Sequence, residues 1–282
     1  MTLNFITWNI DPEIFQLGCF SLRWYGMLFA ASFVVGYFIL RKIFIQEGIP
    51  LRQLDRVSWY MIFGTLIGAR LGHCMFYEPD YFLKNPVEIL YTWNGGLASH
   101  GAAIGILIAL YIFSRIERLP YIWILDRMAI VVALSCFFIR MGNLMNSEIF
   151  GHPTNLPWGF EFVRSPEWHR FPIHAQPCHP TQIYEALAYL AAFVWLCRMY
   201  FKKDEKPYPG VLVGLFLISL FTARFFIEFF KENQADFENA MLLNMGQLLS
   251  IPFIIWGIYL LKCAKSAACH NTFPTKPQSP QR

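Results

Sequence analysis

The chain has 282 residues, of which 56% are hydrophobic and only 15% are charged, with a formal net charge of +4. This composition excludes an ordinary soluble globular domain. Apolar stretches of about 20 residues recur along the chain, which is the length needed to cross a hydrocarbon core of about 30 Å. Seven such stretches cover residues 20–44, 57–77, 96–114, 122–141, 182–201, 209–230 and 244–262.

The apolar stretches are predicted to be helices. Their periodicity is helical, and backbone polar groups that are exposed to lipid must be paired within their own segment. We therefore predict an all-α membrane protein with about seven transmembrane helices. Most of the 23 lysines and arginines lie in one set of loops, among them Arg41, Arg118 and Lys202. The positive-inside rule then places the N-terminus outside and the C-terminus in the cytoplasm.

The polar segments suggest a simple domain organisation. Residues 1–265 are predicted to form a single polytopic membrane domain, and residues 266–282, which lack an apolar run, a disordered cytoplasmic tail. Residues 1–18 and 79–94 mix apolar and polar positions and are predicted to lie in the membrane interface as amphipathic arms. Residues 142–180 are rich in proline and aromatic residues, which predicts a small folded cap on the outer surface.

Four arginines, Arg23, Arg70, Arg140 and Arg224, lie inside predicted spans. A charge at the bilayer centre costs roughly 2.5–3.5 kcal/mol, so a chain retains such residues only if they pair or bind something. The arginine guanidinium is a planar fork that grips phosphate or carboxylate through two parallel hydrogen bonds. The four arginines therefore predict an anion site within the membrane, near one leaflet.

Other polar residues fall at the same predicted level of the membrane. Because successive spans alternate in direction, the outer half holds Tyr25, Arg70, His100, Arg140, Asn143, Gln182, Glu185, Arg224 and Glu228. Structural polar residues placed at random would not segregate in this way. We predict a single polar chamber that opens to the outer leaflet.

Two of the arginine motifs also have a structural interpretation. Arg140 and Asn143 are three residues apart, share one face of a helix and could belong to an ordinary polar helix end. Arg224 and Glu228 are four residues apart and could form an intrahelical ion pair that lowers the cost of insertion. The phenylalanines and isoleucine that flank Arg140 (137–139) are poorly explained by a helix end.

The remaining motifs have structural alternatives too. Arg70 could extend its head group to the membrane interface. His100 could be structural, because it begins a span in which Gly101 and Gly105 have the spacing of a tight helix contact. His179 is predicted to cap the fifth span, with Pro180 at its first helical position. Histidine is also the natural proton acceptor near neutral pH, which keeps a catalytic role open for His100.

Several function classes are disfavoured. The seven cysteines show no Cys-x-x-Cys spacing, so we predict neither a zinc site nor a disulfide framework. An intramembrane protease would need an aspartate pair, a Gly-x-Ser-x-Gly serine or a His-Glu-x-x-His motif, and the sequence contains none of these. A transporter or receptor for an anionic lipid could use the same arginines, but it would need a polar route to the inner face.

At these motifs the chain resembles the family of phosphatidylglycerol–prolipoprotein diacylglyceryl transferases. The matching pieces run in order from the first span to the last: RWYG (23–26), GARLG (68–72), GGLASHG (95–101), RMGNLMNSEIFG (140–151), HPTQIYE (179–185), ARFFIEFF (223–230) and MGQLLSIP (245–252). The fourth piece resembles the signature of the family. One departure is Leu220, which stands in the neighbourhood where the family often has a tyrosine before the span-six arginine.

The resemblance implies a reaction and its partners. The diacylglyceryl group of phosphatidylglycerol is transferred to the thiol of the lipobox cysteine in a prolipoprotein signal peptide, a thioether forms and glycerol phosphate leaves. No metal or other cofactor is implied, and neither is nucleic acid. The implied location is the bacterial cytoplasmic (inner) membrane, with the site facing the outer leaflet, membrane lipid around it and the cap of residues 142–180 in the periplasm.

The resemblance also implies roles for individual residues. The catalytic set is His100, Arg140, Arg224 and Glu228. The substrate-binding set is Tyr25, Arg70, Arg140, Asn143, Asn146, Glu148, Gly151, His179, Gln182 and Glu185. We expect Arg140 to bind the lipid phosphate and His100 to accept or orient the proton of the incoming thiol. The base stays open, because three glutamates are alternatives to His100, namely Glu148, Glu185 and Glu228, and a dedicated base need not exist.

Overall fold

A computed structural model describes residues 5–18, 20–91, 96–165, 176–202, 206–231 and 241–270. Most of these residues are helical. The α-helices in this part of the chain are α1 (Trp24–Glu47), α2 (Leu51–Phe76), α3 (Pro79–Lys84), α4 (Ser99–Glu117), α5 (Tyr121–Met145), α6 (Thr181–Phe201), α7 (Val211–Ile227) and α8 (Met245–His270). Two 3₁₀ turns, Pro86–Leu90 and Glu228–Phe230, follow α3 and α7.

The long helices confirm the predicted class of all-α membrane protein. Among the described residues, six helices are long and apolar enough to cross a membrane: α1, α4, α5, α6, α7 with its 3₁₀ turn, and α8. Helix α2 lies at the predicted second span and has 26 residues. It is not among the six, and it contains Arg52, Asp55, Arg56 and Arg70. The count of seven spans and the orientation of the termini stay predictions.

Several helix ends differ from their predicted positions. The first predicted span begins too early, because Phe20–Arg23 is a strand, so Arg23 lies outside the first helix and pairs with Glu13 at 3.1 Å. Pro180 is the residue before α6, which begins at Thr181, and no side chain caps this end, so the prediction of His179 as the cap is wrong. Helix α8 continues to His270, and the predicted tail of residues 266–282 therefore starts inside a helix. Residues 271–282 lie outside the described part of the chain.

The chain divides into two compact units. The first contains the residues up to Gly36 and those from Asp126 onward, and the second contains Tyr37 to Leu125. In the second unit, α2 packs on α4 through facing glycines. A Cβ atom added to Gly68 would lie 2.4 Å from the carbonyl oxygen of Gly101, so only glycine allows this approach. The predicted tight helix contact is confirmed.

The first unit carries a small region of β-structure. Strand β1 (Ile6–Trp8) pairs in parallel with β4 (Phe160–Phe162), and β2 (Glu13–Leu17) forms an antiparallel hairpin with β3 (Phe20–Arg23). The predicted N-terminal arm is therefore made of strands. The other predicted arm forms α3 and a 3₁₀ turn in the second unit, as far as it is described. Interfacial placement of both arms stays a prediction.

A packed cluster follows the end of α5, within the segment predicted as a cap. Its buried members are Leu144, Phe150, Phe160, Phe162 and Cys178. The indole nitrogen of Trp8 donates a hydrogen bond to the carbonyl oxygen of Leu144 over 3.0 Å, which ties β1 to the last turn of α5. This packing fixes the C-terminal end of α5, the helix that carries Arg140. Residues 166–175 of the segment lie outside the described residues.

Candidate active site

Buried charged side chains meet where α5 ends, α6 begins and α7 ends. Glu185, on the first turns of α6, has no solvent exposure and lies between two cations. Its Oε2 is 2.8 Å from Nε of Arg140, and its Oε1 is 3.0 Å from Nζ of Lys231. The same Nζ atom lies 3.3 Å from Oε2 of Glu228. We call these four residues, together with Arg224, the charged cluster.

The guanidinium of Arg140 is held on two sides. Besides the contact of Nε with Glu185, Nη1 donates a hydrogen bond to Oδ1 of Asn143 over 3.1 Å. The amide nitrogen of Asn143 in turn donates to Oε1 of Glu148 over 2.8 Å, and that of Asn146 to the same oxygen over 3.2 Å. The plane of the guanidinium is therefore fixed before any ligand arrives. Its side chain remains 14% exposed, which leaves an edge that a ligand can reach.

The backbone after α5 is strained and is clamped by α6. Ser147 and Ile149 both have positive φ values, 54° and 60°, a region that a β-branched residue rarely adopts. The side chain of Gln182 donates a hydrogen bond to the carbonyl oxygen of Glu148 over 2.7 Å, and Thr181 donates to that of Ile149 over 2.9 Å. Strain of this kind persists where the surroundings over-determine it, as at binding sites. Here it positions the Glu148 carboxylate.

Gly151 allows two distant segments to touch. It forms a β-bridge with Lys231, and the next amide, of His152, donates a hydrogen bond to the carbonyl oxygen of Phe230 over 2.8 Å. A Cβ atom on Gly151 would lie 2.1 Å from that carbonyl oxygen. The glycine is thus required for close backbone approach, and its contact with substrate stays a prediction.

Arg224 and Glu228 do not behave as the i, i+4 spacing suggests. The chain tightens into a 3₁₀ turn at Glu228, and this carboxylate pairs with Lys231. Within the described residues, no ion pair joins Arg224 to Glu228. Nε of Arg224 is buried and has no hydrogen-bond partner there, although this arginine interacts electrostatically with Glu185. A simple insertion pair is therefore not what the structure shows.

Tyr25 belongs to the same neighbourhood. Its ring packs on Gly142, where a Cβ atom would lie 2.7 Å from Cδ2 of the tyrosine. The tyrosine also interacts electrostatically with Arg140 and Glu148. The first unit therefore brings together the predicted site residues of α1, α5, α6 and α7, and a chamber open to the outer leaflet stays a prediction.

The charged cluster carries more positive than negative groups. Three cations, Arg140, Arg224 and Lys231, face two carboxylates, Glu185 and Glu228. Glu148 forms no ion pair with them within the described residues and accepts hydrogen bonds from two amides. A surplus of fixed donors in a poorly solvated place favours a bound anion.

Comparison with known proteins gives this site a context. The family model described as prolipoprotein diacylglyceryl transferase matches residues 12–263. The chain belongs to this family. The phosphatidylglycerol–prolipoprotein diacylglyceryl transferase of Porphyromonas gingivalis is 48% identical over 270 residues, which cover 93% of this chain and 95% of the relative. Those of Chloroherpeton thalassium and Tolumonas auensis are 45% and 47% identical and cover 96% and 90% of this chain, and 99% and 95% of their own lengths.

His179 packs beside the loop that follows α5, where its carbonyl oxygen accepts a hydrogen bond from the amide of Gly151. Its ring lies 5.2 Å from that of Phe230, and Nδ1 is 3.2 Å from the hydroxyl of Tyr184. Burial, together with His152, holds the pKa of His179 below its ordinary value. A neutral ring at neutral pH follows, and binding of substrate by this residue stays a prediction.

Two predicted site residues belong to the second unit. Arg70 is buried, and its guanidinium donates hydrogen bonds to the backbone carbonyls of Glu88, Ile89 and Gly96 over 2.7, 2.9 and 3.3 Å. These contacts fix the segment after α3. His100 is exposed at the second position of α4. Their roles toward substrate stay predictions.

Sequence reasoning missed three residues of the first-unit site. Lys231 lies just beyond the predicted span of residues 209–230, yet its side chain is only 3% exposed. Tyr189 donates a hydrogen bond to Glu185 over 3.2 Å, and a Cβ atom on Gly246 would lie 2.5 Å from the carboxyl carbon of Glu228. The spacings i, i+3 for Lys231 and i, i+4 for Tyr189, each counted from a glutamate, were the available signals. Among the described residues, no group of three His, Cys, Asp or Glu side chains could hold a metal ion.

Proposed function

We propose that this chain transfers the diacylglyceryl group of phosphatidylglycerol to the thiol of a lipobox cysteine in a prolipoprotein. The observation that carries the proposal is the charged cluster, a partly unpaired set of cations built from the family's own motifs. Phosphatidylglycerol presents one phosphodiester charge next to the carbon that reacts. The surplus positive charge of the cluster matches that group.

The protein has to bind the lipid phosphate, stabilise the departing group and remove the proton of the thiol. The thiol sulfur attacks the glycerol carbon that bears the phosphate, the carbon–sulfur bond forms, the carbon–oxygen bond breaks, and glycerol phosphate departs with the bonding pair. Fixed donors therefore have to stabilise the phosphate as its charge grows. Arg140, whose plane is set by Glu185 and Asn143, binds the phosphate. Arg224, with its unpartnered Nε, stabilises the departing group.

The thiol must also lose its proton, since the thiolate is the nucleophile. We propose His100 as the acceptor or orienter, because its exposed position leaves it accessible to a peptide. Glu185 and Glu228 are already engaged by cations, which disfavours them as the base. His100→Gln retains hydrogen bonding but removes basicity. Transfer at the wild-type rate by this variant would make His100 a structural residue.

The proposed setting is the bacterial inner membrane, with the charged cluster near the outer leaflet. The basic residues that favour one set of loops support this orientation. The substrate peptide then approaches from the periplasm with its cysteine at the membrane interface. Cysteine substitutions at positions on the two sides, labelled with an impermeant thiol reagent in whole cells, test the orientation directly.

The direct test uses the purified full chain in neutral detergent. Phosphatidylglycerol with labelled acyl chains is mixed with a lipobox peptide or with the same peptide carrying serine in place of cysteine. We expect label on the cysteine peptide only, with the mass increase of one diacylglyceryl group. Arg140→Ala should abolish the product, whereas Arg115→Ala, at an exposed position of α4, serves as the matched control. No product with wild-type protein, or equal labelling of both peptides, would contradict the proposal.

A further inference from the structure

Arg224 and Glu228 are opposite charges one helical turn apart, the arrangement in which side chains normally pair. In the structure they do not pair. Glu228 is buried and its Oε2 lies 3.3 Å from Nζ of Lys231, while Nε of Arg224 is left without a partner in the described part of the chain. Lys231 therefore competes with Arg224 for the same carboxylate, and Lys231 holds it.

The backbone supports this choice of partner. Glu228 begins a 3₁₀ turn, in which side chains three residues apart lie one above the other, so the turn brings Lys231 beside the Glu228 carboxylate. The carboxylate lies against Gly246, where a Cβ atom would be 2.6 Å from Oε1. Gly246 is in the first turn of α8, and the positive end of a helix favours a carboxylate. Lys231 and the start of α8 thus hold Glu228 from two sides.

Lys231 also contacts Glu185, and this contact is independent of its contact with Glu228. Nζ lies 3.0 Å from Oε1 of Glu185, a carboxylate that Arg140 also contacts at 2.8 Å and to which Tyr189 donates a hydrogen bond. Glu185 therefore keeps partners when Lys231 is removed. Among the described residues, Lys231 is the one side chain that pairs with the Glu228 carboxylate, which otherwise lies against Gly246 at the start of α8. Loss of Lys231 would turn Glu228 toward Arg224.

Charge leads to the same expectation. With Lys231 the charged cluster has one more cation than carboxylate, and without it two arginines would face two carboxylates. A neutral set of groups has no electrostatic preference for an added anion. A buried carboxylate that loses its cation seeks another, because an unpaired buried charge is costly. Arg224 is the nearest cation on the same helix.

We propose that Lys231 is a positioning residue that keeps Glu228 away from Arg224, so that the Arg224 guanidinium stays available to the phosphate of the lipid substrate. The inference rests on the proposed function for the identity of the anion. It does not require Lys231 to touch the substrate. Its effect passes through Glu228.

The test measures how tightly the lipid binds. The dissociation constant for labelled phosphatidylglycerol in neutral detergent is compared among wild type, Lys231→Met, Lys231→Arg and a matched control, Lys84→Met, at an exposed lysine of α3. We expect Lys231→Met to bind the lipid about tenfold more weakly, as expected for the loss of one charge-assisted contact. Lys231→Arg, which keeps a cation within reach, should recover most of the affinity, and Lys84→Met should bind as wild type does.

A second comparison separates positioning from direct contact. With Glu228→Gln the competing charge is gone, so adding Lys231→Met should change the lipid dissociation constant by less than twofold. This pair also remains informative if Lys231→Met alone does not fold, because the double variant leaves no unpaired carboxylate at position 228. Weaker binding by the double variant than by Glu228→Gln would show that Lys231 acts on the lipid by another route, and the proposal would be wrong.

The remaining outcomes are also decisive. A folded Lys231→Met with wild-type affinity, or a Lys231→Arg that is as impaired as Lys231→Met, overturns the proposal. Failure of the proposed function would look different. In that case wild-type protein would transfer no diacylglyceryl group to the cysteine peptide, whatever the variants bind.

Discussion

The two ends of α7 both bury charge, but they treat it differently. Before its first turn, the carboxylate of Asp126, only 1% exposed, accepts hydrogen bonds from the amides of Gly210 and Val213 over 2.7 and 2.9 Å. This is an anion at the positive end of a helix, with its lone pairs used. At the last turn, Nε of Arg224 is buried with no partner among the described residues. The buried carboxylate at the first end has its hydrogen-bond partners, whereas the buried guanidinium nitrogen at the last end has none among the described residues.

The difference separates structure from binding. Buried polar atoms in folded proteins are almost always hydrogen-bonded, because an unpaired one costs free energy. The end of α7 near Asp126 follows this rule. The other end breaks it at Arg224, and Oε1 of Gln182, in the first turn of α6, is also buried and unpartnered in the described structure. Polar groups left incomplete by the protein are the ones that a ligand can complete, so the incomplete end is the candidate binding end.

The largest expected effect is at Arg140. Arg140→Lys should lower diacylglyceryl transfer about hundredfold or more, nearly as far as Arg140→Ala, because an ammonium cannot hold both Glu185 and Asn143 and also present a planar edge to phosphate. The readout is the initial rate of label transfer to the lipobox peptide. Arg115→Lys, at an exposed position of α4, is the control. Near-normal transfer by Arg140→Lys would remove the claim of planar recognition.

The next effect is at Arg224 and tests the incomplete end itself. Arg224→Met should reduce transfer by about tenfold to hundredfold, with little change in the thermal midpoint, since Nε has no partner to lose within the described protein. Arg198→Met, at an exposed position near the end of α6, is the matched control. A large fall in the thermal midpoint with transfer per folded molecule unchanged would make Arg224 structural and erase the contrast between the two ends.

The sequence predicts part of this site well. Helical periodicity placed α5 at 122–141 and the structure has it at Tyr121–Met145, so Arg140 and Asn143 could be assigned to one face. Burial of Lys231 could not be predicted in the same way. It depends on the bridge to Gly151, a residue 80 positions away in sequence, and periodicity carries no information about such pairings.

Local spacing also misled in one place and succeeded in another. The i, i+4 rule predicted that Arg224 and Glu228 could pair, but the 3₁₀ turn places Lys231 beside Glu228, and Glu228 pairs with Lys231 instead. The spacing of Gly101 and Gly105 predicted a tight helix contact, and the structure has one. The two predictions differ because the two kinds of residue have different choices of partner. A helix surface made of glycines packs well only against a close neighbour. A charged side chain pairs with whichever opposite charge the tertiary structure brings near it.

A smaller effect is expected at Gly246, which is spatially close to Glu228. Gly246→Ala would place a Cβ atom 2.5 Å from the carboxyl carbon of Glu228, and the carboxyl group, as the end of a flexible side chain, would move away. We expect a several-fold loss of transfer, about fivefold, with a small change in stability. Gly36→Ala is the control, because its Cβ atom would make an ordinary contact of 3.6 Å with Val131. Equal activity of the two variants would show that the position of Glu228 does not matter.

The smallest effect on catalysis and the largest on stability should come from Asp126. Asp126→Ala removes the acceptor for the amides of Gly210 and Val213 and leaves them buried, which should cost about 3 kcal/mol of stability. Asp126→Asn keeps one acceptor oxygen and should fall between wild type and Asp126→Ala. Transfer per folded molecule should stay within about twofold of wild type, because Asp126 lies 14 residues from Arg140 along α5, about 21 Å at the helical rise. The measurements are the thermal midpoint in detergent and the transfer rate normalised to folded protein. If Asp126→Ala kept its stability but lost transfer, the complete end of α7 would be functional, and hydrogen-bond completeness would not distinguish structure from binding in this protein.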